Sequence, residues 1–258
     1  PITPTPIGVK IIRQAKTIYR ETRKIENILH EFKGDISGSL KIGILPTIAN
    51  ALIPKLIHEV SMNHPDLKLT IKEGLTHEII DALENDQLDI GIVSTPVQNN
   101  GLIVRELYLE KFRIYAHKNH PSFHKKAWEA TDLLEDKLWL LSEGNCFRVQ
   151  TINLCSLPEE KLNHLALTYE SGSLQTLKKI VDFEGGATII PEWEASELDD
   201  VSLDHLRAFK TDDAGRAVGI IYTKFYAKEQ IINSVEEMIK RCLPNHVAEN
   251  KDLKIIST

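Results

Sequence analysis

The sequence is poor in cysteine, with three among 258 residues, which is too few to cross-link a small secreted domain. It has no run of about 18 apolar residues that could cross a bilayer. Its first residues, PITPTPIGVK, lack the charged-then-apolar layout of a signal peptide. These absences predict a cytoplasmic protein without membrane association, and in that reducing compartment a cysteine pair is more often catalytic or redox-sensing than structural.

Excess positive charge is also lacking. The 37 acidic residues outnumber the 31 lysines and arginines and leave a formal charge of −6. Unspecific affinity for nucleic acid rests on clustered Lys and Arg that neutralise phosphates. The composition therefore predicts that this chain does not itself hold DNA.

A long helical seam is present near the start of the sequence. Seven positions recur at alternating spacings of four and three, and all but one are apolar: Ile11, Ala15, Ile18, Thr22, Ile25, Leu29 and Phe32. This heptad spacing predicts a helix that packs along another helix, in a second subunit, and the alternative is a helix docked on its own domain. Gly34 is predicted to end the helix before a short linker.

From Leu40 onward, short β-rich runs alternate with helical stretches, a pattern typical of a mostly parallel α/β sheet. Strands are predicted at 40–45, 68–71, 88–94, 112–117, 137–141, 165–170, 187–191 and 218–223. Helices are predicted at 51–62, after Gly74, and at 173–181 and 229–243. We expect two α/β lobes, followed by a frayed end over AENKDLKIIST.

Other reactive side chains have simpler interpretations. His117, His120 and His124 have a spacing that can suggest a metal site, but Pro121 interrupts any shared helix and no carboxylate or cysteine joins them, so a solvated loop is predicted. Cys242 continues the apolar stripe of the last helix and is predicted to be a core residue. No other catalytic constellation or phosphate loop is recognised, so we expect no metal, no cofactor and no enzyme activity.

Together the segments resemble the LysR-type transcription regulators nearly end to end. The resemblance is carried by PTPIG, GSLKIGILPTIANALIPKLI, LDIGIVS and GGATIIP. It implies a fold of two Rossmann-like α/β lobes of the type 2 periplasmic-binding-protein kind, joined by two crossing strands. The implied division is a wing tail, linker helix and connector over 1–36, lobe I over 37–112 plus 217–247, lobe II with a redox loop over 113–216, and a tail over 248–258.

The same resemblance implies partners. It places a winged helix-turn-helix before Pro1, with PITPTPIG as the tail of its wing, and promoter DNA as the ligand of that module. It also implies a homodimer or homotetramer and contact with RNA polymerase.

A narrower resemblance, to the OxyR-type sensors of hydrogen peroxide, is carried by SEGNCFRVQTINLC, with LPT at 45–47 and LTHEII at 75–80. It implies that Cys146 is the peroxidatic cysteine and Cys155 its resolving partner. The implied peroxide pocket comprises Thr47, Thr76, His77, Asn145 and Arg148. Two positions depart from the pattern, since Asn145 stands where a histidine is usual and Val149 where an aspartate is usual.

The chemistry of such a site asks for particular groups. A thiolate attacks peroxide, so Cys146 needs a lowered pKa, which a helix beginning near Phe147 and the cation of Arg148 could supply. The hydroxyls of Thr47 and Thr76 suit the leaving hydroxide or, alternatively, cap helices. Arg148 could instead pair with a surface carboxylate, and His77 could simply be exposed.

Helix geometry then predicts a switch. If residues 147–155 are helical when reduced, a rise of about 1.5 Å per residue separates the two cysteine Cα atoms by roughly 13 Å. A disulfide tolerates no more than about 7 Å. Oxidation therefore requires part of RVQTINLC to unwind or to swing, and we expect the movement to reach a subunit interface.

Three other functions remain open at this point. A LysR-type domain could bind a small organic inducer between its lobes, with the cysteines incidental. A solute-binding protein shares the bilobed plan, and a thiol peroxidase shares the first chemical step.

Overall fold

The structure, a computed structural model, describes residues 3–12, 14–15, 18, 22, 38–157, 172–211, 213–224 and 229–257. Positions 6–12, 14–15, 18 and 22 are helical, in agreement with the first part of the predicted seam. The seam residues Ile11 and Ile18 are 62% and 61% exposed. The later seam positions Ile25, Leu29 and Phe32 lie outside the described residues, so dimerisation through this helix stays a prediction.

The first lobe opens with the predicted βαβαβ unit. Its elements are β1 (Gly38–Ile44), α1 (Pro46–Asn63), β2 (Leu67–Glu73), α2 (Thr76–Glu84) and β3 (Ile90–Thr95). Strand β1 pairs in parallel with both β2 and β3. Every residue of β3 is buried, as expected of a parallel strand covered on both faces.

The remaining elements follow in chain order. They are β4 (Leu102–Ala116), β5 (Ala127–Trp128), a 3-10 turn (Ala130–Leu134), α3 (Cys146–Cys155), α4 (Leu174–Glu184), β6 (Ala187–Pro191), α5 (Glu192–Ser196), α6 (Asp200–Leu203), β7 (Leu206–Phe209), β8 (Ala214–Thr223), α7 (Glu229–Cys242), α8 (Asn245–Ala248) and β9 (Lys254–Ile255). The strand order is β2-β1-β3-β8-β4-β7-β5, with β6 beside β4 and β9 beside β8. No helix of the described residues is long and apolar enough to cross a membrane.

Strands β4 and β8 run through both lobes. They pair antiparallel with each other, and β4 then pairs with β6 from Phe112 onward. Two separate hydrophobic cores lie at the two ends of these strands: Tyr108 and Val218 belong to the first core, whereas Phe112 and Ala214 belong to the second. The predicted architecture of two lobes joined by two crossing strands is confirmed. The exact residue boundaries of the predicted domains stay a prediction.

Several predicted details are wrong. The sheet is mixed, because β4 and β8 are antiparallel to their main neighbours. Strand β4 begins ten residues before the predicted 112, and in its first half only Leu102, Leu107 and Tyr108 are buried. The run 137–141 forms a single bridge, Leu138 to Ala187, in place of a strand. The predicted strand 165–170 lies outside the described residues.

The end of the chain is not frayed in the described residues. Strand β9 pairs in parallel with β8, and Ile256 is 8% exposed within the core of lobe II. The frayed end was predicted from the charged composition of this segment alone. Pairing with β8 and burial of Ile256 stabilise the segment instead.

Candidate redox site

Helix α3 carries both cysteines of the predicted pair, one at each end. Cys146 is its first residue and Cys155 its last, and both are free thiols. Asn145 caps the helix, since its side-chain oxygen accepts a hydrogen bond of 3.1 Å from the Phe147 amide. A helix of this length holds the two Cα atoms roughly 13 Å apart, beyond the reach of about 7 Å that a disulfide allows.

The two thiols lie in different hydrophobic cores. Cys146 packs, half-buried, against the core of lobe I. Cys155 is buried in the core of lobe II. Helix α3 therefore spans the junction of the lobes, and any contact between the two sulfurs requires one of them to leave its core. Cys242 packs against the core of lobe I, as predicted.

A buried arginine that lies outside the sequence motifs described above is part of this site. Arg216 of β8 is fully buried, and its guanidinium carbon is 5.2 Å from the centre of the Phe147 ring. It donates to the Glu110 carboxylate at 2.7 Å and to the Thr47 hydroxyl at 2.8 Å. Burial raises the pKa of Cys146, and the positive charge of Arg216 offsets part of that rise.

A signal for this arginine was present in the sequence. Strand β8, AGRAVGIIYT, has nine consecutive buried residues, and Arg216 is the only charged side chain among them. A charged residue inside a strand that is otherwise apolar is rarely buried without a partner. Such an arginine is a candidate functional residue on sequence grounds alone.

Burial outweighs the local charges at Cys146. The pKa of Cys146 is raised above its ordinary value, mainly because burial penalises the thiolate. Arg216, the Thr76 hydroxyl and the backbone amides of Cys146 and Phe147 act in the opposite direction and offset part of that effect. The predicted net lowering is therefore wrong, although the predicted helix N-terminus is in place. At Cys155 burial alone raises the thiol pKa to about 12.

Two polar groups at the site have unused hydrogen-bonding capacity. The Thr76 hydroxyl and the Asn145 side-chain nitrogen are both buried and have no hydrogen-bond partner of normal geometry among the described residues. Thr76 nevertheless lies close enough to the Cys146 thiol to lower its pKa. Unsatisfied buried polar groups are costly, so both groups have the capacity to bind a small polar ligand.

The other predicted pocket residues have different positions. Thr47 contacts the site through Arg216, as both its hydroxyl and its carbonyl accept from that guanidinium. The guanidinium of Arg148 donates instead to the Leu141 carbonyl at 2.9 Å. His77 is exposed on the first turn of α2.

The threonines are not helix caps. The cap positions of α1 and α2 are occupied by Leu45 and Leu75, and neither cap shows a side-chain hydrogen bond. Both threonine hydroxyls therefore remain available to the site, one for Arg216 and the other for the region of the thiol.

No group of three or more metal-ligating side chains occurs among the described residues. The prediction of a solvated histidine loop is wrong for His120, which is 3% exposed and has its ring 4.5 Å from the ring of Trp128. Burial lowers the pKa of this histidine.

Residues 33–240 match the model of the LysR substrate binding domain. The chain belongs to this family. Among curated relatives of the LysR domain, it is 27% identical over 188 residues to the "Hydrogen peroxide-inducible genes activator" of Haemophilus influenzae, covering 73% of this chain and 62% of the relative. It is 28% identical to "HTH-type transcriptional regulator EstR" of Acinetobacter baylyi, covering 73% and 61%. The chain thus spans about three fifths of the length of these relatives.

Solved structures agree with this assignment to the LysR family. The reduced form of the OxyR regulatory domain from Pseudomonas aeruginosa is 28% identical, with a TM-score of 0.70, covering 84% of this chain and 100% of that one. OxyR from Porphyromonas gingivalis has a TM-score of 0.78 at 24% identity, covering 86% and 100%, and shows the shared fold.

Proposed function

We propose that this chain is the redox-sensing regulatory domain of a cytoplasmic, peroxide-responsive transcription regulator. Hydrogen peroxide oxidises Cys146, and Cys155 resolves the product to a disulfide. The observation that carries the proposal is the arrangement of α3: two free thiols at the ends of one helix, with a buried arginine and unpartnered polar groups beside the first.

The chemistry proceeds in two displacements. The Cys146 thiolate attacks one peroxide oxygen, so that an S–O bond forms, the O–O bond breaks and the second oxygen leaves as hydroxide, which takes up a proton to give water. The Cys155 thiolate then attacks the sulfenic sulfur, so that the S–S bond forms and the S–O bond breaks, releasing a second hydroxide that also becomes water. Together the two thiols lose two electrons, and one peroxide is reduced to two waters.

The buried charges have defined parts in the first displacement. Arg216 stabilises the thiolate of Cys146 electrostatically, while Glu110 and Thr47 hold its guanidinium in place. Thr76 and Asn145 offer unused polar groups that can bind peroxide and the departing hydroxide. Burial raises the pKa of Cys146 and so opposes the thiolate, and these groups offset part of that effect during the reaction.

The second displacement requires α3 to refold. Cys155 must leave the core of lobe II, where burial holds its pKa near 12, before it can act as a thiolate near Cys146. Unwinding of the helix brings Cys155 toward Cys146 and also takes its thiol out of the core, so that the thiol can ionise. A segment with two such arrangements is a two-state element through which oxidation can reorient attached surfaces.

The partners follow from this role. We expect a homodimer or homotetramer that binds promoter DNA through a winged helix-turn-helix before Pro1 and contacts RNA polymerase. A sensor completes one turnover per disulfide, whereas a thiol peroxidase would recycle. With excess dithiol present, peroxide consumption that slows after about one equivalent per chain identifies the regulator, whereas rapid consumption of many equivalents identifies the enzyme.

The central test is peptide mapping by mass spectrometry after brief exposure to about one equivalent of peroxide, with free thiols alkylated before digestion. We expect a linked Cys146–Cys155 peptide and a free, alkylated Cys242. A chain in which both α3 thiols stay alkylatable, or in which Cys242 reacts first, contradicts the proposal.

An inducer-binding regulator is the second candidate. It is favoured by a cavity of about 540 Å³ lined from α1 by Pro46 and Asn50 and from the start of α4 by Gln175. This function predicts that a Cys146→Ser/Cys155→Ser variant keeps its transcriptional response, whereas the peroxide sensor loses it.

A further inference from the structure

The short segment from Lys254 to Ser257, called here the latch segment, is held on one side by strand β8. The Lys254 amide donates to the Asp213 carbonyl at 2.8 Å, and the Ile256 amide donates to the Gly215 carbonyl at 2.9 Å. Gly215 is the residue immediately before Arg216. The latch segment is therefore attached next to the buried cation of the redox site.

On its other side the latch segment is held by α3. The side-chain nitrogen of Gln150 donates to the Ile256 carbonyl at 2.9 Å, and that of Asn153 donates to the Ser257 carbonyl at 3.0 Å. Gln150 is fully buried and also donates to the Ser94 hydroxyl of lobe I at 3.1 Å. Both donors lie between Cys146 and Cys155, on the part of the chain that must unwind for these cysteines to meet.

The apolar contact of the latch segment is linked to the same event. Ile256 belongs to the core of lobe II together with Phe147 and Cys155. When Cys155 leaves that core to reach Cys146, Ile256 loses part of its apolar surroundings. Gln150 and Asn153 lose their helical positions at the same time.

We infer that the latch segment is redox-controlled: it is docked between α3 and β8 in the dithiol form and released when the disulfide forms. This inference rests on the proposed function, in which Cys146 and Cys155 pair. Because coupling free energies are reciprocal, docking of the latch segment must oppose the disulfide by the same factor by which the disulfide opposes docking.

Hydrogen exchange tests the release directly. The amides of Lys254 and Ile256 are measured in the full chain as dithiol and as disulfide, the state of each sample being verified by mass. We expect their exchange to accelerate about tenfold or more on oxidation, while amides of β3 in lobe I stay unchanged. A Cys146→Ser variant treated with the same peroxide should keep slow exchange at both positions.

The outcomes separate the two claims. If the disulfide forms and both latch amides exchange as slowly as before, the latch inference is overturned and the proposed function stands. If peroxide yields no Cys146–Cys155 disulfide, both are overturned.

A substitution in the latch segment tests the reciprocal effect. Ile256→Ala should raise the equilibrium constant for disulfide formation against glutathione by about tenfold, because it weakens docking without substituting any residue of α3. Val60→Ala, which trims a buried side chain of lobe I, is the matched control and should leave the constant unchanged. Equal shifts in the two variants would mean general destabilisation and would overturn the inference.

A second variant covers the case in which Ile256→Ala does not fold. Asn153→Ala removes the hydrogen bond to Ser257 from an exposed position and also raises helix propensity, which by itself favours the dithiol form. Acceleration of exchange at Ile256 in the dithiol form of this variant supports the latch. Unchanged exchange at that amide contradicts it.

Discussion

At the scale of single residues, the site is defined by a buried charge, the half-buried thiol of Cys146 and the buried thiol of Cys155. Arg216 and Glu110 are 0% and 1% exposed and pair within the junction of the lobes. Burial raises the pKa of Glu110, and the attraction of Arg216 offsets part of that rise. Removing one partner of such a pair leaves an uncompensated buried charge, which typically costs about 3–5 kcal/mol. A test of Arg216 must therefore change both partners.

The double variant Arg216→Met/Glu110→Gln is expected to fold and to slow alkylation of Cys146 at pH 7 at least about tenfold, because the thiolate loses its nearby cation. Arg148→Met is the control, since its guanidinium binds the Leu141 carbonyl. The measurement is the rate of Cys146 modification against pH. If Arg148→Met slows alkylation of Cys146 more than the double variant does, Arg148 and not Arg216 is the cation that stabilises the thiolate.

Cys155 makes stability depend on pH. Its folded-state pKa is raised from 9.0 to about 12 by burial, so the stability from its neutral form is fully present below pH 9 and is lost as pH rises toward 12. From pH 9 to 10 this one thiol should lower the free energy of unfolding by about 1 kcal/mol. Urea unfolding of the reduced protein and of Cys155→Ala isolates the effect, since the other thiols and the tyrosines are common to both. Equal pH slopes in the two proteins would contradict it.

At the scale of elements, α3 is a short helix whose termini are its reactive points. Its N-cap is Asn145, and its C-cap Ser156 adopts a left-handed conformation with φ of 48°. Inside the helix, Gln150 connects it to Ser94 of lobe I. The helix is therefore stabilised mainly by a cap and by contacts made beyond it, which suits an element that must unwind on oxidation.

The cap can be tested independently of peroxide. Asn145→Ala should lower the free energy of unfolding of the dithiol form by about 1 kcal/mol, because the Phe147 amide loses its acceptor. Asn145→Ser preserves a capping oxygen and should retain most of the stability. Urea denaturation under reducing conditions measures both. Identical losses in the two variants would mean that the cap is not the source of the effect.

At the scale of the whole molecule, the two lobes have separate cores and share the crossing strands β4 and β8. The proposed disulfide requires Cys155 to move from the core of lobe II toward Cys146 at lobe I. It therefore changes the contacts at the junction between lobes, and not within one of them alone. Lobe surfaces that are fixed relative to each other in the dithiol form should shift.

This shift predicts a change of shape on oxidation. Small-angle scattering and sedimentation velocity of the chain as dithiol and as disulfide, at equal concentration, should differ in radius of gyration or in association state. Cys155→Ser, which cannot form the disulfide, should give the dithiol profile after peroxide. Superimposable profiles for the two redox states of the unaltered chain would contradict the predicted change of shape or association state.

Parts of the fold could be read from the sequence because local patterns determine them. Continuous apolar runs such as LDIGIVS predict buried strands, and β3 is buried throughout. The run 137–141 has a similar composition but forms only a bridge, since a strand also needs a neighbour along its length. The end of the chain shows the converse, because β8 supplies a neighbour for the charged segment 254–255.

By itself the sequence determined that the cysteines are nine residues apart in a segment able to form a helix, and helix rise then sets their separation. Only the tertiary structure decided what surrounds them. Arg216 lies seventy positions after Cys146 and reaches it through a strand that crosses both lobes, while burial reverses the expected direction of the thiol pKa. Spacing along a helix is a local property of the backbone, whereas burial and charge pairing depend on which distant segments the two cores bring together.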